Sequence, residues 1–243
     1  MESFDIIEQS FQVNTVEKAI QVDTADLSTN TINDIRDIKS DEDIYELVDD
    51  NVKEVLKKEG KYKFRGKPPK MLEMRPIYTY RNGNKYLGQW DPETNRAEGQ
   101  GIFVFSYCGS LYEGYFKNDK FHGWGREIDN EGTVYIGQWI EGRLRGNSVV
   151  TFGKKSKWFG NKYVGCIKNN RKEGKGVYSY SNGNEYDGEW KNNNSHGKGT
   201  IKWANGDKYV GDFKEGKMHG HGSMTWANGK TYVGDYYLDK RTG

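Results

Sequence analysis

The sequence has little cysteine and proline and no long apolar run. Its 243 residues include only two cysteines and four prolines. Cys108 and Cys166 each stand outside any Cys-x-x-Cys pair, which argues against a disulfide framework and predicts two reduced, unpaired thiols. Because there is no run of about 18 apolar residues, we expect no membrane-spanning helix.

The N-terminus also lacks a secretory pattern. The opening residues MESFDIIEQS show no order of basic, apolar and small residues, so we expect a cytoplasmic protein. Hydrophobic residues make up only 34% of the chain, whereas there are 31 glycines and 14% aromatic residues. A thin, aromatic core is therefore expected. A repeat array suits it, because each repeat contacts mainly its neighbours.

Catalytic and metal-binding patterns are missing. His122, His196 and His219 each precede the first glycine of a Gly-x-Gly, so they follow a repeating pattern. A metal site at His219 and His221 lacks a third ligand at a suitable spacing. Ser195, His196 and Asp187 belong to a single hairpin's pattern, which does not favour a catalytic triad. We predict no catalytic residue and no bound metal.

Phosphate-binding loops are also not expected. The stretches 197–200 and 217–222 are glycine-rich, but a P-loop lies between a strand and a helix, and here another strand is expected to follow. Nothing in the chain resembles a kinase or SET catalytic core. We predict no cofactor and no enzymatic activity within these residues.

What the sequence does contain is a repeat, seen most clearly between residues 182 and 232. Tyr-x-Gly motifs begin at Tyr86, Tyr112, Tyr135, Tyr163, Tyr186, Tyr209 and Tyr232. The last four start 23 residues apart, and the two longer intervals contain the extra residues 91–98 and 153–157. A fixed period of this kind indicates a repeat architecture.

One repeat unit predicts a β-hairpin. Tyr186, Gly188 and Trp190 alternate with charged residues, so rings and glycine share one face of a strand. After a turn at 192–196, a second strand follows, and Asn205-Gly206 is suited to a two-residue link to the next unit. We expect a continuous antiparallel meander in which a ring of one hairpin lies on the glycine backbone of the next.

Tyr-x-Gly-x-Trp followed by His-Gly-x-Gly, repeated every 23 residues, resembles the MORN (membrane occupation and recognition nexus) repeat family. The resemblance covers roughly residues 76–243 and implies an elongated, twisted antiparallel sheet of hairpin repeats. By similarity to family members, it implies a non-enzymatic scaffold and protein-protein interaction module of the cytoskeleton. The leading setting it suggests is a ciliary axonemal, radial-spoke-like assembly.

Two other functions remain open at this point. Residues 1–60 hold 16 acidic and 6 basic side chains, which leaves 31 basic and 19 acidic ones on residues 61–243. This basic excess favours a peripheral phosphoinositide-binding membrane adaptor. The resemblance also allows an accessory region of an enzyme that lies on another chain or beyond residue 243. No nucleic-acid partner is predicted.

Four segments are expected. Residues 1–39 form an extended acidic arm, 40–59 an amphipathic helix that Ser40 can cap, 60–75 a basic linker, and 76–243 the repeat array with an incomplete last repeat. The helix either docks across the end of the sheet or binds a partner. The last strand lacks a returning strand, so either the sequence is incomplete or that strand is an open edge awaiting a partner strand.

The middle repeats depart from the pattern. Glu127 and Asp129 take the places of Ile201 and Trp203, and Ser148 takes the place of a glycine. A less regular sheet is expected there, which a partner could recognise.

Candidate interaction residues fall into three sets, with partners expected at the arm, the sheet face and the C-terminal edge. Rings that pack the repeats and could line a peptide groove are Tyr86, Trp90, Tyr112, Phe116, Tyr135, Trp139, Tyr186, Trp190, Trp203, Tyr209, Phe213 and Trp226. Possible anionic contacts, including anionic lipid, are Lys154, Lys155 and Lys157. Possible partner-docking residues are Phe11, Val13, Ile20, Val22, Ile44, Leu47 and Val48.

Overall fold

A computed structural model describes residues 44–64 and 72–242. A 3-10 turn at Ile44–Leu47 and helix α1, Asp50–Glu59, precede fifteen strands. The strands are β1 Glu73–Thr79, β2 Lys85–Asp91, β3 Arg96–Phe105, β4 Ser110–Lys117, β5 Lys120–Ile128, β6 Val134–Ile140, β7 Arg143–Thr151, β8 Lys162–Lys168, β9 Arg171–Ser179, β10 Glu185–Lys191, β11 Asn194–Lys202, β12 Lys208–Lys214, β13 Lys217–Thr225, β14 Thr231–Tyr237 and β15 Lys240–Thr242. The expected mainly β class is confirmed.

The described residues divide into two compact units. The N-terminal unit contains residues 44–64, 72–144 and 150–159, and the C-terminal unit contains 145–149 and 160–242. Within each unit, successive strands pair antiparallel, from β1 to β6 in the first and from β8 to β15 in the second. The open antiparallel meander predicted from the repeat is confirmed.

The turns differ from those predicted by the repeat pattern. The two-residue turn of the hairpin is Asn192-Asn193, with φ of 50° and 71°, and residues 194–202 already belong to β11. Paired positive φ values define the turn that matches strand twist, and asparagine tolerates them better than most residues. Asn205-Gly206 lies in a five-residue loop instead, closed by a hydrogen bond from the Trp203 N–H to the Asp207 carbonyl at 2.9 Å.

The helix is shorter than predicted and begins at a different residue. Asp49 is the N-cap, since its carboxylate accepts a hydrogen bond from the Asn51 N–H at 2.8 Å. The Asp49 N–H donates to the Gly109 carbonyl at 3.0 Å, which separates α1 from the turn at Ile44–Leu47. The helix ends at Gly60 with φ of 79°, the expected stop.

The helical segment packs on a face of the sheet and not across its end. Its buried residues Ile44, Val48 and Val52 join Phe64 against apolar side chains of β2 to β6, namely Leu87, Ile102, Val104, Leu111, Ile128 and Val134. These strand residues have the parity opposite to the repeat tyrosines. The N-terminal unit therefore has a ring-bearing face and a helix-covered face.

The last strand of the meander does have a returning strand. Residues Lys240–Thr242 form β15, which pairs with β14 through Tyr237↔Lys240, Tyr236↔Arg241 and Asp235↔Thr242. The expectation that β14 lacks a returning strand is wrong. The short β15 follows the turn Leu238-Asp239, whose φ values of 49° and 71° repeat the geometry of the earlier turns.

Candidate functional site

The ring-bearing face is built on a contact between tyrosine and glycine. The Tyr186 ring covers Gly188 and Gly199 of its own hairpin, and the Tyr186 hydroxyl donates to the Glu189 carbonyl at 2.8 Å. A Cβ on Gly199 would lie 2.5 Å from the Tyr186 oxygen, so only glycine fits. Tyr86, Tyr112, Tyr163 and Tyr209 repeat this arrangement. The packing role of glycine is confirmed, but the ring lies on its own hairpin and not on the next one.

Neighbouring hairpins are joined by edge-to-face ring contacts. The Tyr186 ring lies 5.1 Å from Trp190 of its own strand and 4.9 Å from Phe213 of the next hairpin. Tyr209 continues the series with Phe213 at 5.3 Å and Tyr236 at 5.0 Å. The N-terminal unit has the same ladder, from Tyr86, Trp90 and Phe116 to Tyr112 and Trp139. Such pairs add roughly 0.5–1.5 kcal/mol each beyond burial.

Most of the predicted ring residues lie inside this ladder. Side chains with 6% or less of their surface exposed are Tyr86, Trp90, Tyr112, Phe116, Trp139, Tyr186, Trp190, Tyr209 and Phe213. Tyr135, Trp203 and Trp226 are half-buried. The buried rings hold the repeats together, so any groove for a peptide has to be lined by the half-buried and exposed ones.

A buried ion pair fastens the helical segment to the opposite face. The Glu113 carboxylate accepts from Arg126 Nη2 at 2.5 Å and Nε at 2.9 Å, and both side chains are at most 5% exposed. Glu113 also accepts from the Tyr45 hydroxyl and the Tyr62 N–H, each at 3.0 Å. Arg126 Nη2 donates to the Gly60 carbonyl at 2.7 Å. One ion pair thus contacts both ends of the segment.

The predicted partner-docking residues divide into two groups. Ile44 and Val48 are 1% and 6% exposed in the core of the N-terminal unit, and Leu47 packs against that core. Their packing serves the fold of this chain. Phe11, Val13, Ile20 and Val22 lie outside the described residues.

The predicted anionic-contact lysines make contacts within the N-terminal unit. Lys154 Nζ pairs with Glu54 Oε2 at 2.7 Å. The hydrogen bond from the Asn51 N–H is the main cause that lowers the pKa of Asp49, and the charge of Lys155 adds a smaller effect in the same direction. Lys157 Nζ lies 4.9 Å from the centre of the Trp158 ring. Trp158 and Phe159 are 48% and 56% exposed on the same loop.

Cations pack on the ring-bearing face of the C-terminal unit. Lys172 Nζ lies 4.2 Å from the Trp190 ring and 4.3 Å from the Tyr178 ring. Burial lowers the pKa of Lys172 to about 8 because the charged form loses hydration. The Arg241 guanidinium lies over Trp226 and Tyr232. The rings of this face can therefore accept a positive charge.

The N-terminal unit has carboxylates on the corresponding face. Glu127 pairs in register with Tyr112 on one side and Tyr135 on the other. The Tyr135 hydroxyl donates to Asp129 Oδ2 at 3.2 Å. Burial, reinforced by the charge of Asp129, raises the pKa of Glu127 to about 7. Among the described residues, no Lys, Arg or His side chain forms an ion pair with Glu127 or Asp129.

Glu127→Gln is expected to raise the free energy of unfolding at pH 8 by on the order of 2 kcal/mol and to change it little at pH 4.5. The folded pKa of about 7 lies above the ordinary glutamate value of 4.5, so the wild type loses stability as pH rises between these values. Urea unfolding at both pH values checks this. The exposed control Glu93→Gln should follow the wild type, and an equal gain at both pH values would contradict the prediction.

Sequence reasoning missed several of these residues. Glu113 and Arg126 are an acidic and a basic residue in register on adjacent strands, and the repeat spacing could have shown this. Lys172 and the exposed rings Tyr107, Trp158 and Phe159 have no counterpart in the repeat pattern. Glu127 and Asp129 stand out in the sequence as departures from that pattern, but the sequence does not link them to a function.

Neither a metal-binding cluster nor a membrane-spanning helix is found in the described part of the chain. Within residues 44–64 and 72–242, no group of three or more His, Cys, Asp and Glu side chains could hold a metal ion. None of the helices in those ranges has the length and apolar character needed to cross a bilayer. Cys108 and Cys166 are free thiols.

Comparison with known proteins gives a family match to the repeats. The MORN repeat model matches residues 112–134, 135–153, 163–185, 186–208 and 209–231. Alsin from Homo sapiens and Alsin from Pan troglodytes are each 27% identical over 97 residues, which is 38% of this chain and 5% of Alsin. The matched segment is thus a small part of either relative.

Two solved structures share a weak likeness. The G-box domain of the microcephaly protein CPAP aligns with 68% of this chain and all of its own, at 11% identity and a TM-score of 0.25. The wild-type TCP10 domain of Danio rerio CPAP aligns with 68% of this chain and 94% of its own, at 10% identity and a TM-score of 0.24. Likeness at this level carries no functional argument.

Proposed function

Since this chain is a MORN-repeat protein, and the MORN repeat is a structural and binding module, we propose that it is a non-enzymatic scaffold that binds other protein subunits. The observation that carries the proposal is that its aromatic rings fall into a buried set and an exposed set. One set is buried in the ladder and holds the hairpins together, while Tyr78, Tyr107 and Trp158 remain 48% to 82% exposed. Exposed aromatic side chains are characteristic of protein interfaces.

The finer proposal concerns the setting of the scaffold. We propose a cytoskeletal assembly, and within it a ciliary axonemal, radial-spoke-like complex. Its support is the resemblance of the repeats to ciliary members of the family. We propose that the acidic arm of residues 1–39 and the open part of the sheet face make the subunit contacts, and that the protein resides in the cytoplasm and the cilium.

A second function has one observation in its favour. Trp158 and Phe159 project from the loop after β7 beside Lys157, and exposed aromatic and basic side chains suit an anionic membrane surface. The ion pair between Lys154 and Glu54 reduces the free positive charge of the loop, and for this reason we prefer the scaffold.

The proposal is tested by purifying the full chain, and a variant that lacks residues 1–39, with their bound proteins from native lysate, followed by quantitative mass spectrometry. We expect stoichiometric cytoskeletal or axonemal subunits with the full chain and at least about tenfold less of them without the arm. In parallel, both forms are sedimented with phosphatidylserine vesicles at low salt. Vesicle binding without protein partners would overturn the scaffold and support the membrane adaptor.

A further inference from the structure

The ring-bearing face of the N-terminal unit has more rings than its ladder uses. Tyr78, Tyr80, Phe103, Phe105 and Tyr107 form a contiguous series that we call the aromatic patch. Ring centres lie 4.9 Å apart for Tyr78 and Tyr80, 5.8 Å for Tyr80 and Phe103, and 4.9 Å for Phe103 and Phe105. Phe105 and Tyr107 follow at 6.1 Å. Tyr78 is 49% exposed and Tyr107 82% exposed, so the patch reaches solvent at both ends.

A carboxylate borders the aromatic patch. Glu127 is half-buried on the same face, where it and Phe103 of the patch pair with Tyr112 from opposite sides. The pKa of Tyr107 is raised mainly by its hydrogen bond with Cys108 and that of Tyr112 mainly by burial, and the charge of Glu127 adds to both shifts. Asp129 is the next acidic residue on that face of β5 and its following loop, where it accepts from the Tyr135 hydroxyl. Two partly desolvated carboxylates thus lie beside exposed rings.

Cation–ring contacts elsewhere in the described residues indicate which chemical group would bind between these rings and carboxylates. Among the described residues, cations lie over rings of the ring-bearing faces elsewhere, with Arg75 over Trp90, Lys172 over Trp190 and Arg241 over Trp226. Glu127 takes the register position that Tyr178 holds beside Lys172, between two repeat tyrosines. A cation bound here would interact favourably both with the faces of the rings and with the carboxylates.

We propose that the aromatic patch, with Glu127 and Asp129, binds a peptide segment of a partner protein in which a lysine or arginine is flanked by apolar side chains. The cation pairs with the two carboxylates, and the apolar side chains cover the rings of the patch. A peptide is the favoured occupant because five rings extend well beyond a small cation. The carboxylates would repel lipid phosphates and nucleic acid. This inference rests on the proposed scaffold function and assigns it a surface.

Selection from a phage-displayed library of random 12-residue peptides on the full chain tests the proposal. We expect the recovered peptides to be enriched in Arg or Lys next to aromatic or aliphatic residues. A fluorescein-labelled copy of the most enriched peptide should bind Glu127→Gln/Asp129→Asn at least about tenfold more weakly than the wild type. Tyr107→Ser should weaken binding several-fold because it removes one ring of the aromatic patch. The substitution should leave the fold intact, since the Tyr107 side chain is mostly exposed.

The matched control is Glu185→Gln/Asp187→Asn, which removes the same charge from the opposite face of the C-terminal unit and should leave binding within about twofold of wild type. Circular dichroism establishes that each variant is folded. The proposal is overturned if no peptide is enriched, if the recovered peptides lack cations, or if the control weakens binding as much as the Glu127 variant. Protein partners found in lysate despite such a result would leave the scaffold standing and exclude this surface.

Discussion

Arg126→Met is expected to lower the free energy of unfolding by about 3–5 kcal/mol. The substitution leaves the Glu113 carboxylate fully buried and without its cation, and it removes the hydrogen bond to the Gly60 carbonyl. Removing one partner of a buried pair costs far more than the pair contributes, because the remaining charge keeps its desolvation penalty. Urea unfolding followed by circular dichroism gives the change.

The same variant should also detach the helical segment. Amide protons of Asp50–Glu59 are expected to exchange faster in Arg126→Met than in the wild type, whereas those of β10 to β13 should be unchanged. The control Lys198→Met breaks an ion pair of similar length, 2.7 Å to Asp212, whose lysine is 73% exposed. Exposed pairs contribute roughly 0–1 kcal/mol, so an equally large loss in the control would refute the argument.

The second large effect is expected for Gly199→Ala, which should lower the free energy of unfolding by about 3 kcal/mol. The new methyl group would lie 2.5 Å from the Tyr186 oxygen and 2.8 Å from its ring carbons. The ring cannot retreat without losing its contacts to Trp190 and Phe213. Thermal and urea unfolding of the two proteins measures the difference.

Gly229→Ala provides the matched control for this prediction. Gly229 lies in the same unit with φ of 82°, and a methyl group added there would have no atom outside its chain neighbours within 4 Å. Its substitution strains only the backbone, at about 1 kcal/mol. If both alanines cost the same, the tyrosine ring is not what excludes a side chain at Gly199.

Much of the fold could be predicted from the sequence because its signals are local and repeated. The alternation around Tyr186 and Gly188 identifies a strand and its inner face, and the 23-residue period gives the meander. The predicted two-residue link at Asn205-Gly206 is wrong, although Asn-Gly is the strongest two-residue turn signal, because these residues lie in a five-residue loop. The two-residue turn is Asn192-Asn193, inside the turn predicted at 192–196, and both of its residues have positive φ. Local sequence does not reveal which asparagine pair adopts that geometry.

The position of the helix depends on contacts between residues distant in sequence. Val104, Leu111, Ile128 and Val134 are apolar at the parity opposite to the tyrosines, whereas the same parity in the C-terminal unit includes Lys202 and Lys208. These apolar side chains on adjacent strands would have favoured packing of the helix on the face of the sheet over packing across its end. The link between Glu113 and residues 45–62 joins positions 51 or more apart, which periodicity cannot show.

The candidate site was only partly predictable, for a related reason. The repeat pattern identifies rings such as Tyr186 and Trp190, but it assigns them to packing. Residues that depart from the pattern, such as Glu127 and Lys172, obtain their environment from neighbouring strands. Their half-buried state follows from the pairing of three strands and not from any single segment.

The contact of each tyrosine with its own glycine pair has a consequence for how the chain can change in length. In the C-terminal unit, Tyr186 and Tyr209 each meet the same kinds of neighbour, and both the ring ladder and the turns recur with the 23-residue period. Duplication or loss of a whole hairpin therefore preserves every contact type at the new junction. Genetic insertion and deletion in multiples of 23 codons would be tolerated here. A few extra codons would be tolerated only in a turn, as residues 91–98 are, because a shift within a strand would misplace a ring.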